Sequence, residues 1–373
     1  MTDELVIDGA FGEGGGQIVR TAVCLAALTG RALLLENIRA GRKNPGLAAQ
    51  HLTAVRAAGA LCGAKLSGDA LGSQRLRFEP GSPSRPGLHL FDVAEAREGG
   101  SAGAVTLVLQ TILLPLALAA GDSDVALRGG THVAWSPPFD YARDVWLATL
   151  ARLGVTASLE LSAYGWYPAG RGEVRLTVTG LGAQAGGPGA RQAAAARLEP
   201  LDARERGALG QVFGRAVAAN LPSHVAQRMA DRARALLAEQ GIETRIEPRR
   251  VRATSPGAGI FLTAEYENSR AGFNALGERG KPSEAVAEEA VAALIAHRDS
   301  GAALDLHLAD QLVLPLALAE GRSCYTVERI TRHLTTSAWV VERFALAEVE
   351  IEGAEGEPGT VTVTPAAPGG GGP

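Results

Sequence analysis

The chain has 373 residues, of which 46% are hydrophobic and 20% charged, and its formal net charge is −4. That length favours two domains or one large domain carrying an insertion, with the composition of a globular protein. The charge excludes a global pull towards polyanions, and no apolar stretch reaches membrane-spanning length uninterrupted, because the longest, 105–120, contains Gln110 and Pro115.

The acidic start, Met1-Thr-Asp-Glu4, lacks the basic and apolar regions of a signal peptide, so a cytoplasmic location is expected. Cys24, Cys62 and Cys324 are widely separated and contain no C-x-x-C pair; they read as buried hydrophobes, not as a disulfide framework or zinc site. Of 36 basic residues only Lys43, Lys65 and Lys281 are lysine. Arginine grips phosphate bidentately, but a GC-biased coding sequence gives the same skew, so local clusters carry more information than the total.

In chain order, a strand at Glu4 to Asp8 leads through a glycine-rich loop, 9–17, into a helix from Ile18 to Leu28 that stops at Gly30. A strand (Ala32 to Ile38), a basic loop (39–46), a helix (Leu47 to Leu61) and strands near Lys65 to Ser67 and Arg75 to Glu79 follow. The order then recurs with helices at Val105 to Ala120 and Phe139 to Leu153, and strands at Asp124 to Leu127, Thr156 to Leu161 and Glu173 to Val178. It recurs again from His307 to Val363, with the second helix at Ala338 to Phe344. Leu114-Pro-Leu-Ala-Leu-Ala-Ala-Gly121 and Leu314-Pro-Leu-Ala-Leu-Ala-Glu-Gly321 are near copies, too long a match to ascribe to composition.

The expected fold is therefore α/β: three repeats of a unit made of a four-stranded sheet and two helices. Leu88 to Val93 and Ala303 to Leu306 are the expected entry strands of copies two and three, as Leu5 to Ile7 is of copy one. Residues 1–185 and 301–364 form the three-repeat body and 186–300 an inserted α/β domain, with a Gly/Ala-rich flexible linker at 180–196 between them. Within it, 207–221 is ambiguous, Ser223 to Gly241 and Ser283 to His297 read as helices, and the segments near 242–248, 259–267 and 272–276 as strands. The Pro/Gly-rich tail, 365–373, is expected to be disordered.

Four motifs offer chemistry. The glycine loop resembles a phosphate cradle but fits neither standard spacing, with Gly15 where a Walker lysine belongs and Gln17 where the dinucleotide fingerprint needs Gly or Ala; a permissive strand-to-helix turn explains it equally well. Gly99-Gly-Ser101-Ala-Gly103 matches a nucleophile elbow, yet the charged segment before it is no buried strand, so helix capping is the expected role of Ser101. Arg39-Ala-Gly-Arg42-Lys43 suits a polyanion or is a solvated loop. His333 stands before an expected helix start, with Thr335, Thr336 and Ser337 as candidate caps; the positive helix end favours a neutral ring and attracts an anion.

Taken together, Asp8-Gly-Ala-Phe-Gly-Glu-Gly-Gly-Gly-Gln17, Ile38-Arg-Ala-Gly-Arg42, Pro45-Gly46, Gln50-His-Leu-Thr-Ala-Val55, Leu71-Gly-Ser-Gln74, Leu107-Val-Leu-Gln-Thr111, Gly129-Gly-Thr131, Trp166-Tyr-Pro-Ala-Gly170, Ala309-Asp-Gln-Leu-Val-Leu-Pro315 and His333-Leu-Thr-Thr336 make a chain that resembles the RNA 3'-terminal phosphate cyclase family. The resemblance implies ATP-dependent conversion of an RNA 3'-phosphate to a 2',3'-cyclic phosphate, with His333 as the adenylated nucleophile. It implies Glu13 as the carboxylate for Mg²⁺ or Mn²⁺, with Arg20, Arg39 and Arg42 on phosphates of nucleotide or RNA. Gln110 and the run His307, Leu308, Ala309, Asp310 and Gln311 fall on ATP-contacting positions, and Pro138 or Pro137 on an adenine contact. The implied partners are ATP and RNA with a 3'-phosphate end, with no membrane, in a monomer or homodimer. Two residues depart from the family pattern: His307 stands where tyrosine is usual, and Ser337 where asparagine is common. The rival expectation is a non-catalytic relative that binds RNA or assists ribosome assembly; a serine hydrolase using Ser101 is more distant.

Overall fold

The computed structural model describes residues 4–184 and 198–367. The expected tail beyond residue 367 and residues 185–196 of the expected linker lie outside the described residues.

The first unit is built from β1 (Leu5–Asp8), α1 (Gly16–Thr29), β2 (Leu33–Glu36), α2 (Ala49–Cys62), β3 (Lys65–Ser67) and β4 (Leu76–Glu79). Leu5 and Ile7 alternate with open Val6 and Asp8, the pattern of a strand buried on one face only. β1 runs parallel to β2, with Leu5 opposite Leu33 and Ile7 opposite Leu35, and β4 and β3 extend the sheet antiparallel in the order β1-β2-β4-β3. The parallel pair is joined through α1, as a crossover requires.

The second unit repeats this topology with β5 (Gly87–Asp92), α3 (Val105–Ala117), β6 (Ser123–Gly129), a second helix, β7 (Ala157–Ala163) and β8 (Gly172–Val178), in the order β5-β6-β8-β7. The second helix, α4, is not uniform. It comprises Phe139–Tyr141, a wider π-helical stretch Ala142–Leu147, and Ala148–Arg152. π-Helical segments of this kind are frequent near functional sites.

The chain then contributes β9 (Asp202–Ala203) and crosses into β10 (Leu209–Ala219), α5 (Ser223–Glu239), β11 (Thr244–Val251), β12 (Gly257–Tyr266), β13 (Arg270–Leu276) and α6 (Ser283–Ser300). The stretch 207–221, ambiguous in sequence, is mostly the central strand β10. These strands form a separate sheet, β11-β10-β12-β13, with its own core beneath α5 and α6, including Ile246, Ile260, Met229 and Leu294.

The third unit has α7 (Leu308–Leu316), β14 (Ser323–Val327), α8 (Arg332–Arg343), β15 (Ala347–Glu352) and β16 (Gly359–Pro365). Its sheet order is β15-β16-β14-β9, so the entry strand differs from expectation. Ala303 to Leu306 contributes a single bridge, Leu304 to Val327, while Asp202 and Ala203 pair with Cys324 and Tyr325 on the same edge of β14. One edge is thus shared by two segments almost 100 residues apart, and we propose that the inserted unit interrupts the first strand of the third repeat, leaving after Ala203 and returning at Ala303.

The helices of the three units turn inward and bury one continuous core that includes Ile18, Leu25, Leu109, Ile112, Leu312 and Val341. The near-copied segments end α3 and α7, each with a proline in its last turn. No helix among the described residues is long and apolar enough to cross a membrane.

Candidate active site

The site forms where the first turn of α1, the first turn of α8 and the start of α7 converge. Thr331 caps α8, its hydroxyl accepting the Leu334 N–H at 3.1 Å, so the helix begins earlier than the sequence suggested and His333 lies within its first turn. Thr336 and Ser337 are buried inside the helix and are not caps. This strengthens the electrostatic expectation, because the ring now sits at the positive helix end.

His333 Nδ1 lies 2.6 Å from Gln17 Oε1. The Gln17 amide nitrogen donates to Asp310 Oδ2 at 2.7 Å, to Ser337 Oγ at 2.6 Å and to the His333 carbonyl at 3.2 Å. With its nitrogen facing acceptors, the amide must turn its oxygen to the imidazole, so Nδ1 carries the proton. Nε2 keeps its lone pair, and 52% of the side chain is open to solvent. Burial, then the charges of Arg20, His307 and Arg42, hold the imidazolium pKa below its usual value, so the ring is neutral at neutral pH.

Glu13 and Arg42 stand on the open side. Glu13 Oε1 is 3.8 Å from His333 Nε2, and the Glu13 carboxylate is ion-paired to Arg42, which also donates to the Glu13 carbonyl at 2.9 Å. The loop carrying Glu13 is fastened to α8: its N–H donates to Thr336 Oγ1 at 3.1 Å, and Phe11 stacks on Trp339 with centroids 4.0 Å apart. Gly12 and Gly14 adopt φ of 56° and 61°, where a side chain is disfavoured, and Gly16 leaves room for the buried His51 ring. The glycine stretch is thus accounted for by turn geometry and close packing. His51 is held neutral, with a pKa lowered to about 3 by burial and by Arg20 and Arg39.

A cleft behind Gln17 is lined by Arg20, Gln110, Trp146, Asp310, Gln311 and Ser337, among others. Arg20 has no hydrogen bond or ion pair among the described residues, and burial lowers its pKa to about 10 against the opposing pull of Asp310. Burial also raises the Asp310 pKa to about 7, offset by Arg20 and assisted by Asp305. Trp146 Nε1 and Gln311 Oε1 are buried without partners among the described residues, which makes them available to a polar ligand.

The remaining expected residues lie around this centre. His307 is exposed and meets Tyr141 of α4 edge-on, with centroids 6.2 Å apart, while Pro138 is the residue immediately preceding that helix. Leu308 and Ala309 are core residues, at 0% and 1% exposure, so they offer no open side chain. Arg39 takes a left-handed φ of 52° and donates to the Gly46 carbonyl at 2.7 Å, where its charge acts on His51. Ser101 does not cap α3: its hydroxyl accepts the Gly103 N–H at 3.1 Å, while the Ala104 N–H at the helix start is met by Gln50 Oε1. Gln17 has no role and Ser337 no partner in the sequence alone; the signal that could reveal them is helical spacing, with Gln17, Arg20 and Thr21 on one face of α1, and His333, Thr336 and Ser337 on one face of α8.

Among the described residues no group of three or more His, Cys, Asp or Glu side chains is arranged to hold a metal. A single carboxylate still suits Mg²⁺, which commonly takes one or two protein carboxylates together with phosphate oxygens.

The family model for RNA 3'-terminal phosphate cyclase matches residues 11–351. A protein of that name from Methylococcus capsulatus is 62% identical over 359 residues, covering 96% of both chains. Its namesake from Nostoc punctiforme is 52% identical over 349 residues, 94% of this chain and 96% of that one. The one from Methanopyrus kandleri is 44% identical over 366 residues, 96% and 98% of the respective chains. The chain belongs to the RNA 3'-terminal phosphate cyclase family.

Proposed function

We propose that this protein converts the 3'-terminal phosphate of RNA to a 2',3'-cyclic phosphate at the expense of ATP, through AMP bound covalently to His333 Nε2. The observation that carries the reading is the Asp310–Gln17–His333 chain of hydrogen bonds, which leaves the Nε2 lone pair free beside Glu13 and Arg42. A neutral imidazole whose other nitrogen is held is an activated nucleophile.

In the first step Nε2 attacks the α-phosphorus of ATP, the bond to the bridging oxygen breaks, and pyrophosphate leaves with the electron pair. An oxygen of the RNA 3'-phosphate then attacks the adenylate phosphorus, and the N–P bond breaks to restore the imidazole. The 2'-hydroxyl finally attacks the 3'-phosphorus, losing its proton to solvent and expelling AMP. The last step gains from proximity, since nucleophile and phosphorus share one ribose.

Arg42 and Arg20 would balance phosphate charge, and Arg20 suits this because it is a partly buried guanidinium with no hydrogen bond or ion pair among the described residues. The adenosine end would lie along Gln110, His307 and the start of α7, with Pro138 near the base. Glu13 would hold Mg²⁺ or Mn²⁺ jointly with phosphate oxygens, where the ion offsets triphosphate charge. Arg42, ion-paired to the same carboxylate, would be placed to meet phosphate oxygens beside that ion.

The test uses an oligoribonucleotide bearing a labelled 3'-phosphate, with ATP and Mg²⁺ or Mn²⁺. The expected product retains its label after phosphatase treatment. Label that stays phosphatase-sensitive would count against the reading and favour a non-catalytic RNA-binding role.

A further inference from the structure

We propose that the inserted unit holds the nucleotide site in shape through Asp305, a positioning residue whose two carboxylate oxygens serve different parts of the molecule. The inference rests on the reading of His307 to Gln311 as nucleotide-binding and adds a role for the inserted sheet.

Asp305 is 2% exposed. Its Oδ1 accepts the Tyr141 hydroxyl at 2.8 Å and the backbone N–H groups of His307 and Leu308, each at 2.9 Å. Those two amides open the first turn of α7, so Oδ1 fixes where that helix starts and which way His307 leaves it. Oδ2 accepts the N–H of Gly272 at 3.0 Å, from the inserted edge strand β13. One buried side chain therefore joins the second repeat, the third repeat and the insertion.

Two further observations tie the insertion to the same place. A Cβ on Gly272 would strike the Tyr141 ring, so glycine at that position lets β13 lie directly on the residue that meets His307. Arg215 of β10 binds Asp140 at 2.8 Å and Asp144 at 3.2 Å, and Arg270 of β13 donates to the Asp144 carbonyl at 3.2 Å. These contacts hold the inserted sheet against the first turns of α4, next to Pro138. The nucleophile is supported differently: His333 is held from α1 by Gln17. Disturbing Asp305 should therefore weaken nucleotide capture while sparing later phosphoryl transfer.

Asp305→Asn separates the two oxygens. With its amide oxygen at the Oδ1 position it still accepts from Tyr141, His307 and Leu308, but its NH₂ then faces the Gly272 N–H, donor against donor. Gly272→Ala makes the lesion from the insertion side by displacing Tyr141. For both variants the ATP concentration giving half-maximal labelling of His333 should rise about tenfold, the scale of one lost buried hydrogen bond. The saturating labelling rate, and AMP transfer from preformed enzyme–AMP to 3'-phosphate RNA, should stay within about twofold of wild type, since neither draws on a bond that the variants remove. Circular dichroism and thermal unfolding report whether each variant is folded. Should both fail to fold, Tyr141→Phe keeps the ring and drops one donor to Oδ1, and a smaller rise in the same ATP dependence is expected. Wild-type ATP dependence in the folded variants, or a loss confined to the transfer step, would overturn the inference. A wild-type protein that takes no label from ATP would instead refute the nucleotide-binding reading on which it rests.

Discussion

Gln17 and His333 meet across the boundary between the first and third repeats, with 2.6 Å between the amide oxygen and Nδ1. Because the Gln17 nitrogen is committed to Asp310 and Ser337, this contact selects the imidazole tautomer as well as the ring position. Gln17→Leu should lower the rate of His333 adenylation by roughly 10²- to 10⁴-fold, as other losses of tautomer control do. Its ATP concentration dependence should change far less. Single-turnover labelling at saturating ATP checks this, and a near wild-type rate would show that the contact is incidental.

The pH dependence of the same step follows from the lowered pKa of His333. Burial is the main cause, with Arg20, His307 and Arg42 adding to it, and all favour the neutral nucleophile. Adenylation should therefore retain more than half of its maximal rate at pH 6.5, the ordinary imidazole value, with its acid limb below that. Arg42→Gln should move the limb to higher pH. A limb above pH 7 in the wild type would contradict the environment described.

Asp310 gives a stability prediction of opposite sign to the usual carboxylate. Folded, it keeps its proton up to about pH 7, whereas an ordinary aspartate releases it near 3.8. Between those values the unfolded chain binds fewer protons, so this group makes the fold less stable as pH rises, by at most about 1.4 kcal/mol per pH unit. Relative to Asp310→Asn, wild-type stability should fall across that window and level off above pH 7. Denaturant unfolding of both proteins at several pH values measures the difference.

Gly16→Ala tests the glycine loop as a packing device. The added methyl would meet the Nε2 of His51, a residue of α2 that is itself buried. A loss of about 1–3 kcal/mol in unfolding free energy is expected, the cost of overpacking a tight contact. An unchanged stability would mean that the loop has freedom its contacts do not suggest.

Much of this architecture was legible because the periodicity of each unit is local. The near-copied ends of α3 and α7 reveal two repeats directly, and the first follows by element order. The entry strand of the third repeat was not legible. Ala303 to Leu306 has strand composition, yet its edge of β14 is shared with Asp202 and Ala203, and no local pattern encodes a pairing across an insertion. The start of α8 was misread because Thr335, Thr336 and Ser337 favour caps over helix interiors, while Thr331 does the capping. His333 stood out beside an expected helix start, while the roles expected of Glu13, Arg20 and Asp310 came from the family resemblance. Gln17 carries no charge and gains its meaning only when α1 and α8 are packed together, so its role needed the fold.

The most direct measurement is incubation of the purified protein with ATP labelled at the α-phosphate and a divalent metal, followed by denaturation and peptide mapping. The expected result is an acid-labile AMP adduct on His333 that is absent from His333→Ala and strongly reduced in Gln17→Leu. A wild-type protein that takes no label, or a His333→Ala variant labelled as fully as wild type, would contradict it.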